Sequence, residues 1–449
     1  MMKMKTENKP LAIFDLDGTI YKTESVSLAA IHSAIIDKGL EDKSDEEIKS
    51  LFGFTTPELC TALFPNIGQE LLNELFDQVR YYERSLISQR GELYEGIENM
   101  LHELRTEGWS LAICTNGSQV YVNAILDGLE LRTHFDFVCI RDGVHTKTEH
   151  IRNLKKKHNT CIMIGDKASD IAAATANSIP SIGVTWGYGT KEEIINAPFI
   201  AEHVKDIKGI LCRIRIYEKI CIDLQTINGK ESKATIVGIN GVDTAGKTRF
   251  SEEFNSFLIS LGMQTLCVHL DDFHNEAKKR STGGDEIHAY IENAFNLGLL
   301  EEKILKPFHS ESKLEEELTM LDLNEDTFTQ RKHYQASPGT VLLIEGTLLF
   351  REPIDKYFSY RIFLDISFDE VMKRAEIRDV PRFGHGIIEK YERKYIPIQK
   401  WYLTEKKPKE RANIVIENND FLNPKTAMKK TGQVVLTCPE EESRCRYIA

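Results

Sequence analysis

The sequence has no apolar run near the roughly 20 residues that a membrane-spanning helix needs. Its N-terminus, MMKMKTENKP, has no apolar signal core and no small-residue cleavage site, so export is not expected. Nine cysteines are scattered with no CxxC pair. An odd, dispersed count argues against a disulfide framework and for the reduced thiols of a cytoplasmic protein. Cationic excess is also missing. Lys and Arg number 57 against 69 Asp and Glu, a net charge of −12. Residues 1–210 carry 22 basic and 31 acidic side chains, so −9, and the remainder carries −3. Neither half has the cationic footprint of a nucleic-acid binder. The composition leans toward small-molecule chemistry.

What is present is ordinary globular sequence, 41% hydrophobic and 28% charged. At roughly 150 residues per domain, 449 residues suggest about three units. Two stretches alternate strand-like apolar runs with helix-like periodicity, the pattern of parallel sheets covered on both faces. The first begins with LAIFDLDGT (11–19), a buried strand ending in acidic residues. A helical stretch, 24–90, follows. Strand-like runs return at WSLAICTNG (109–117), FDFVCIRDG (135–143), TCIMIGD (160–166) and PSIGVTWG (180–187). The second begins with KATIVGINGVDTAGKTRF (233–250) and continues through MQTLCVHLDDF, TVLLIEGTLLF and YRIFLDIS. The expected fold class is α/β, two doubly wound parallel-sheet domains. The expected layout is 1–210, a linker 211–232, 233–425, and a polar, patternless tail 426–449 expected to be disordered.

Asp15 and Asp17 are two apart, so a strand would turn both to one side near its end. Carboxylates there can meet a metal ion and a phosphate in the crevice outside the sheet. One could attack phosphorus and the other could shuttle a proton to and from the leaving oxygen. The bland alternative is an Asp-Gly turn. Further residues sit at successive strand ends. Thr115 and Asn116, in CTNG, could bind phosphate oxygens, and Lys147 could neutralise developing charge. Asp166 and Asp170, in GDKASD, have the hard oxygens and spacing for Mg²⁺.

This half resembles the haloacid dehalogenase (HAD) superfamily, in its phosphoglycolate-phosphatase-like branch. DLDGT (15–19), CTNG (114–117), Lys147 and GDKASD (165–170) carry the resemblance to the superfamily, and the ending SIGVTWGYGTKEEI (181–194) that to the branch. It implies a Rossmann-like core with a helical cap at about 22–92. It also implies that Asp15 is the nucleophile and Asp17 the general acid/base. Thr115 would bind phosphate and Lys147 would stabilise charge. Asp15, Asp17, Asp166 and Asp170 would hold Mg²⁺. Lys147 sits in HTKTE, without the Pro that often follows this lysine in that branch.

In the second half, Gly241 to Thr248 reads GxxxxGK[ST] between an apolar strand and a helix pattern, the setting of a phosphate-binding loop. Gly241 and Gly246 let backbone N–H groups wrap phosphates. Lys247 would reach the β- and γ-phosphates, and Thr248 would ligate Mg²⁺. Asp271 and Asp272 end the next strand, where a carboxylate could take a substrate proton. Glu345, ending LLIEG, could orient Mg²⁺ or its waters. Arg374 and Arg378 share a helix face and could close over a transferring phosphate. Pro381 is expected to break the helix before Arg382.

This half resembles the uridine kinase-like P-loop nucleoside kinases. The loop 241–248, LDDFHNEAKKR (270–280), LLIEG (342–346), RAEIRD (374–379) and the segment 395–418 carry that resemblance. It implies ATP as co-substrate and Asp271 as base, with Asp272 the second candidate. Asp272, His274, Arg280 and Tyr334 would stand near the nucleoside. The sequence reading is therefore a cytoplasmic bifunctional enzyme acting on a small phosphate ester and a nucleoside, without membrane or nucleic-acid partners. A homodimer is left open. Two other readings stand beside it: a nucleic-acid end-healing kinase–phosphatase, and a nucleotide sensor without turnover.

Overall fold

The computed structural model describes residues 9–228, 234–283, 285–430 and 433–437, with strands beyond Thr426 described by their backbone. The chain divides into two compact units, Met1–Ile210 and Leu211–Ala449.

In the first unit, β1 (Leu11–Phe14), β2 (Ser110–Cys114), β3 (Phe137–Cys139), β4 (Cys161–Gly165), β5 (Ser181–Val184) and β6 (Phe199–Ala201) form one sheet. Their order is β3-β2-β1-β4-β5-β6, and every pairing is parallel. β1, β2, β4 and β5 are buried along their whole length. That is why they read as continuous apolar runs rather than alternating ones. β6, FIA, is only three residues long, too short a run to announce a strand. The strand order reverses at β1, which is where open α/β sheets form their ligand crevice.

Four helices leave the sheet after β1: α1 (Glu24–Asp37), α2 (Asp45–Lys49), α3 (Thr56–Leu63) and α4 (Gln69–Arg90). They bury their own apolar cluster, including Ile31, Ile35, Leu59, Leu75 and Val79. They form a cap with a separate core. The chain leaves and re-enters the sheet layer side by side, with the Lys22 N–H donating to the Glu92 carbonyl at 2.9 Å. The covering helices of the sheet include α5 (Ile97–Thr106), α6 (Gln119–Gly128), α7 (Lys147–Lys155) and α8 (Ala168–Ala176), followed by a short α9 (Lys191–Ile194).

The stretch 211–232, read as a linker, is helical through residue 228, as part of α10 (Val204–Asn228). Arg213 bonds Glu253 at 2.7 Å, and the buried Tyr217 ring sits against Phe250, Phe254 and Phe257. Buried Leu211, Ile214, Tyr217, Ile220 and Leu224 recur at helical spacing, so this segment belongs to a packed core. Residues 229–233 lie outside the described residues.

The second unit is built on β7 (Thr235–Gly241), followed by α11 (Lys247–Ser260) and β8 (Thr265–His269). Then come β9 (Leu314–Asp322), β10 (Thr327–Ala336), β11 (Val341–Gly346), β12 (Tyr360–Asp365) and β13 (Ile414–Glu417). β8, β11, β7, β12 and β13 are parallel neighbours. β9 and β10 form a separate antiparallel hairpin that the sequence reading missed. The tail expected to be disordered instead contributes β14 (Lys425–Lys430) and β15 (Gln433–Thr437). They extend the sheet from β13 in antiparallel register. An open sheet edge offers unpaired backbone groups, and the β-branched run in Gln433–Thr437 suits that pairing. Residues 431–432 and 438–449 lie outside the described residues.

Candidate active sites

Lys147 is the first residue of α7, where the helix dipole disfavours a cation. It is held there by two carboxylates, with Nζ donating to Asp15 at 2.8 Å and to Asp170 at 2.5 Å. Their attraction outweighs burial and raises the lysine's pKa, so it stays charged. Thr146 anchors the helix start through a capping box with Glu149.

Asp15, Asp166 and Asp170 are buried, with ligand oxygens within 4.8 Å of one another. Burial, with repulsion from Asp170 and Asp166, pushes Asp15 well above the usual carboxylate range despite Lys147. Burial and Asp170 push Asp166 up to about 6. Three buried carboxylates thus face one lysine. That excess of negative charge and the all-oxygen donor set suit Mg²⁺. Asp166 is aimed by the Tyr188 N–H at 2.8 Å, the Gly189 N–H at 3.2 Å and the Thr19 hydroxyl at 3.2 Å. Gly189 passes so close to Asp166 that any side chain there would collide with the Asp166 carbonyl.

Asp17 lines the same cavity as Asp15, but not through strand alternation. β1 ends at Phe14, and Gly18, at φ +76°, turns the backbone. Strand alternation therefore no longer governs the pair. The Asp17 carboxylate accepts from Tyr121 and from Thr23, each at 2.7 Å. Its side chain is not part of the Asp15–Asp166–Asp170 cluster. Burial raises its pKa, while these two hydrogen bonds pull it back. That environment suits a group that gives and takes a proton.

Thr115 is buried and its hydroxyl accepts the Gly117 N–H at 3.1 Å, opening the turn that carries Asn116. Together these groups line a cavity of about 530 Å³. The cap closes it with Phe52, Arg80 and Glu83. The Tyr188 ring packs edge-on against Phe52 at 4.8 Å, and its hydroxyl accepts the Glu24 N–H at 3.0 Å. Tyr188 therefore ties Asp166 to the first cap helix. Glu83 accepts from Ser27 at 2.7 Å and is pushed by burial up to about 7. Tyr121 and Glu83 carry no motif and only spatial proximity identifies them, whereas Tyr188 lies in the segment SIGVTWGYGTKEEI (181–194) without having been singled out.

In the second unit, β7 delivers the glycine loop to the N-terminus of α11. Gly246 caps that helix at φ +87°, a left-handed conformation glycine adopts at little cost. A side chain at Gly241 would meet the Leu364 carbonyl at 2.7 Å. Lys247 Nζ donates to the Val242 carbonyl at 2.9 Å, folded over the loop. The Thr248 hydroxyl donates to Glu345 at 3.2 Å, and His269 bonds the same carboxylate oxygen at 2.8 Å. Burial raises Glu345, but the His269 bond and the Lys247 charge outweigh it and lower its pKa overall. Thr248 and Glu345 thus present hard oxygens side by side.

Asp271 and Asp272 differ. Asp272 is held by Lys332 at 2.6 Å and by Tyr334 at 3.2 Å, so it anchors the hairpin. The Asp271 side chain is exposed, and its backbone carbonyl is bonded by His274 at 2.8 Å. The His274 ring packs on Phe295 at 4.4 Å, and Arg280 reaches Asp326 at 3.5 Å. The paired arginines also separate. Arg374 is spent on protein groups: Glu370 at 2.8 Å, the Thr244 carbonyl at 3.2 Å and the Asn418 carbonyl at 2.7 Å. It braces the glycine loop from behind. Arg378 pairs with Asp379 at 2.7 Å. Pro381 lies in the first turn of a new short helix, Val380–Phe383, which carries Arg382. Asp243, inside the glycine loop, is raised by burial and clasped by Gln399 at 2.6 Å.

The model of the haloacid dehalogenase-like hydrolases matches residues 12–184, and that of the Phosphoribulokinase / Uridine kinase family matches 236–418. A phosphoglycolate phosphatase of Agrobacterium fabrum is 31% identical over 192 residues, 40% of this chain and 82% of its own. The first unit is a haloacid dehalogenase-like hydrolase, and it is joined to a domain similar to the Phosphoribulokinase / Uridine kinase family. The hydrolase unit is also similar to a solved "predicted phosphatase" from Clostridium acetobutylicum. That match is 26% identical, with TM-score 0.39, covering 45% of this chain and 97% of the other. The uridine kinase-like unit is similar to a solved "possible uridine kinase" from Bacillus stearothermophilus. That match is 23% identical, with TM-score 0.36, covering 44% and 98%. Among the described residues no helix is long and apolar enough to cross a membrane.

Proposed function

We propose that the chain is a bifunctional enzyme. The hydrolase unit removes phosphate from a small phosphate ester through an aspartyl-phosphate on Asp15. The second unit transfers the γ-phosphate of ATP to a hydroxyl of a nucleoside. The observation that carries the first activity is Lys147 set against Asp15, Asp166 and Asp170 under the capped cavity.

The Asp15 carboxylate attacks phosphorus and the ester P–O bond breaks. Asp17 gives its proton to the leaving oxygen. A water then attacks the aspartyl-phosphate, Asp17 takes the water's proton, and inorganic phosphate leaves with Asp15 restored. Thr115, Asn116 and Lys147 hold the phosphoryl oxygens as charge develops. Mg²⁺ held by Asp15, Asp166 and Asp170 would supply further charge neutralisation. The cap excludes bulk water from the intermediate.

In the second unit, the acceptor hydroxyl attacks the γ-phosphorus of ATP, Asp271 takes its proton, and ADP leaves. Gly241 to Lys247 cradle the phosphates, and Thr248 and Glu345 would hold the nucleotide's Mg²⁺. The glycine loop between β7 and α11 supports this reading.

Asp15→Asn should abolish phosphate release from esters and leave ATP-dependent nucleoside phosphorylation intact. Lys247→Ala should do the reverse. Loss of both activities in either variant would refute two independent sites.

A further inference from the structure

Among the described residues, two groups gather three metal-ligating side chains within reach of one ion. One is the all-carboxylate pocket at Asp15. The other is Asp142, His145 and His150, in the loop after β3 and the first turns of α7. Its donor atoms also lie within 4.8 Å of one another.

The chemistry of this second group differs. His145 Nδ1 lies 2.7 Å from Asp142 Oδ2, and the His145 and His150 rings are 5.3 Å apart. His150 Nε2 lies 2.9 Å from the Ile140 carbonyl, which can only accept, so this nitrogen carries the proton. That bond leaves His150 Nδ1 with its lone pair free, the tautomer and backbone support typical of a metal-bound histidine. Two imidazoles and one carboxylate suit zinc and its neighbours, whereas Mg²⁺ prefers oxygens alone.

Zinc binds such ligands at about 2.0–2.2 Å, so its donors stand roughly 3.3 Å apart in a tetrahedron. The Asp142–His145 pair must open slightly and His150 must move in. Asp142 and His145 are exposed and His150 half-buried, so neither shift disturbs a core. All three donors come from nine consecutive residues, so little chain entropy is lost on binding. An Asx turn accounts for Asp142 accepting the Val144 and His145 N–H groups, but it does not account for two converging imidazoles.

We propose that Asp142, His145 and His150 form a transition-metal site of the zinc class, with water in the fourth position, separate from the pocket at Asp15. Thr146 and Lys147 lie between its ligands, and Arg141 and Gly143 in the same loop line the hydrolase cavity. The ion would brace the segment that delivers Lys147.

The test uses the full chain without an affinity tag, in excess Mg²⁺ to occupy oxygen-only sites, titrated with Co²⁺. One equivalent should bind with visible d–d bands, and Zn²⁺ should bleach them. His145→Ala and His150→Ala should each weaken Co²⁺ binding by roughly tenfold or more. Asp15→Asn should leave it unchanged. Asp142→Asn, which keeps the turn's acceptor oxygen, serves as a third variant should either alanine variant lose its native circular dichroism spectrum. Wild-type binding by His145→Ala/His150→Ala or by Asp142→Asn, or loss of the bands in Asp15→Asn, would overturn the site.

Discussion

The Tyr121 hydroxyl donates to Oδ1 of Asp17 at 2.7 Å, inside the capped cavity. The bond favours the ionised carboxylate and so opposes the rise that burial causes. Tyr121→Phe should raise the Asp17 pKa further. In the proposed mechanism Asp17 must be protonated to release the alcohol, so the alkaline limb of kcat/KM for phosphate release should move to higher pH. An unmoved limb in the variant would show that Asp17 is not the proton donor.

Glu83 gives a pH-dependent stability. Burial raises its folded pKa to about 7, against 4.5 as its ordinary value. The folded state therefore binds the proton more tightly than the unfolded chain. The Glu83 contribution is fully favourable below pH 4.5 and is lost as pH rises through about 7. The difference is on the order of 3 kcal/mol as an upper bound. Glu83→Gln keeps an acceptor for Ser27 and cannot ionise. Thermal unfolding should show the variant gaining on wild type between pH 5 and 8. A constant difference across that range would contradict the assignment.

Arg374 donates to Glu370 and to the carbonyls of Thr244, Asn418 and Asn419. Arg374→Ala removes these bonds at once and releases the glycine loop. Hydrogen bonds from a charged group contribute about 1.5–3 kcal/mol each, so a loss of at least that size is expected. The KM for ATP should rise about tenfold, the kinetic equivalent of about 1.4 kcal/mol. Phosphate release by the hydrolase unit should not change. An unaltered KM for ATP would reduce Arg374 to a surface contact.

The two adjacent carboxylates should separate kinetically. Asp271→Asn should lower kcat of nucleoside phosphorylation by about 10²–10⁴, the usual worth of a positioned base. Asp272→Asn loosens Lys332 and Tyr334, so it should act mainly on KM for the nucleoside. The opposite pattern would make Asp272 the base.

Much of this was legible in the sequence because parts of the chemistry are local. A buried parallel strand must be apolar along its length, so LAIF and TIVGI announce themselves. A glycine loop between strand and helix needs its residues in one short run. Thr115 and Asp166 could be named because each directly follows a buried strand, while Lys147 opens α7 and Asp170 lies in the first turn of α8. Short β6, the hairpin β9–β10 and the added strands β14 and β15 were not legible. Their pairing depends on what the neighbouring edge offers, and edge strands carry weak patterns.

The sequence by itself determined which residues could attack, protonate and bind phosphate, since motifs encode backbone turns and strand ends. Tertiary structure alone decided which of them share a pocket. It turned Asp17 toward Tyr121 and Thr23, because β1 ends one residue before Asp15. It made Arg374 a brace rather than a free cation, because three carbonyls converge on it. It placed Glu83 at the cavity, because the cap folds back over the sheet. Such contacts join residues that are distant in the chain, and no local spacing carries them.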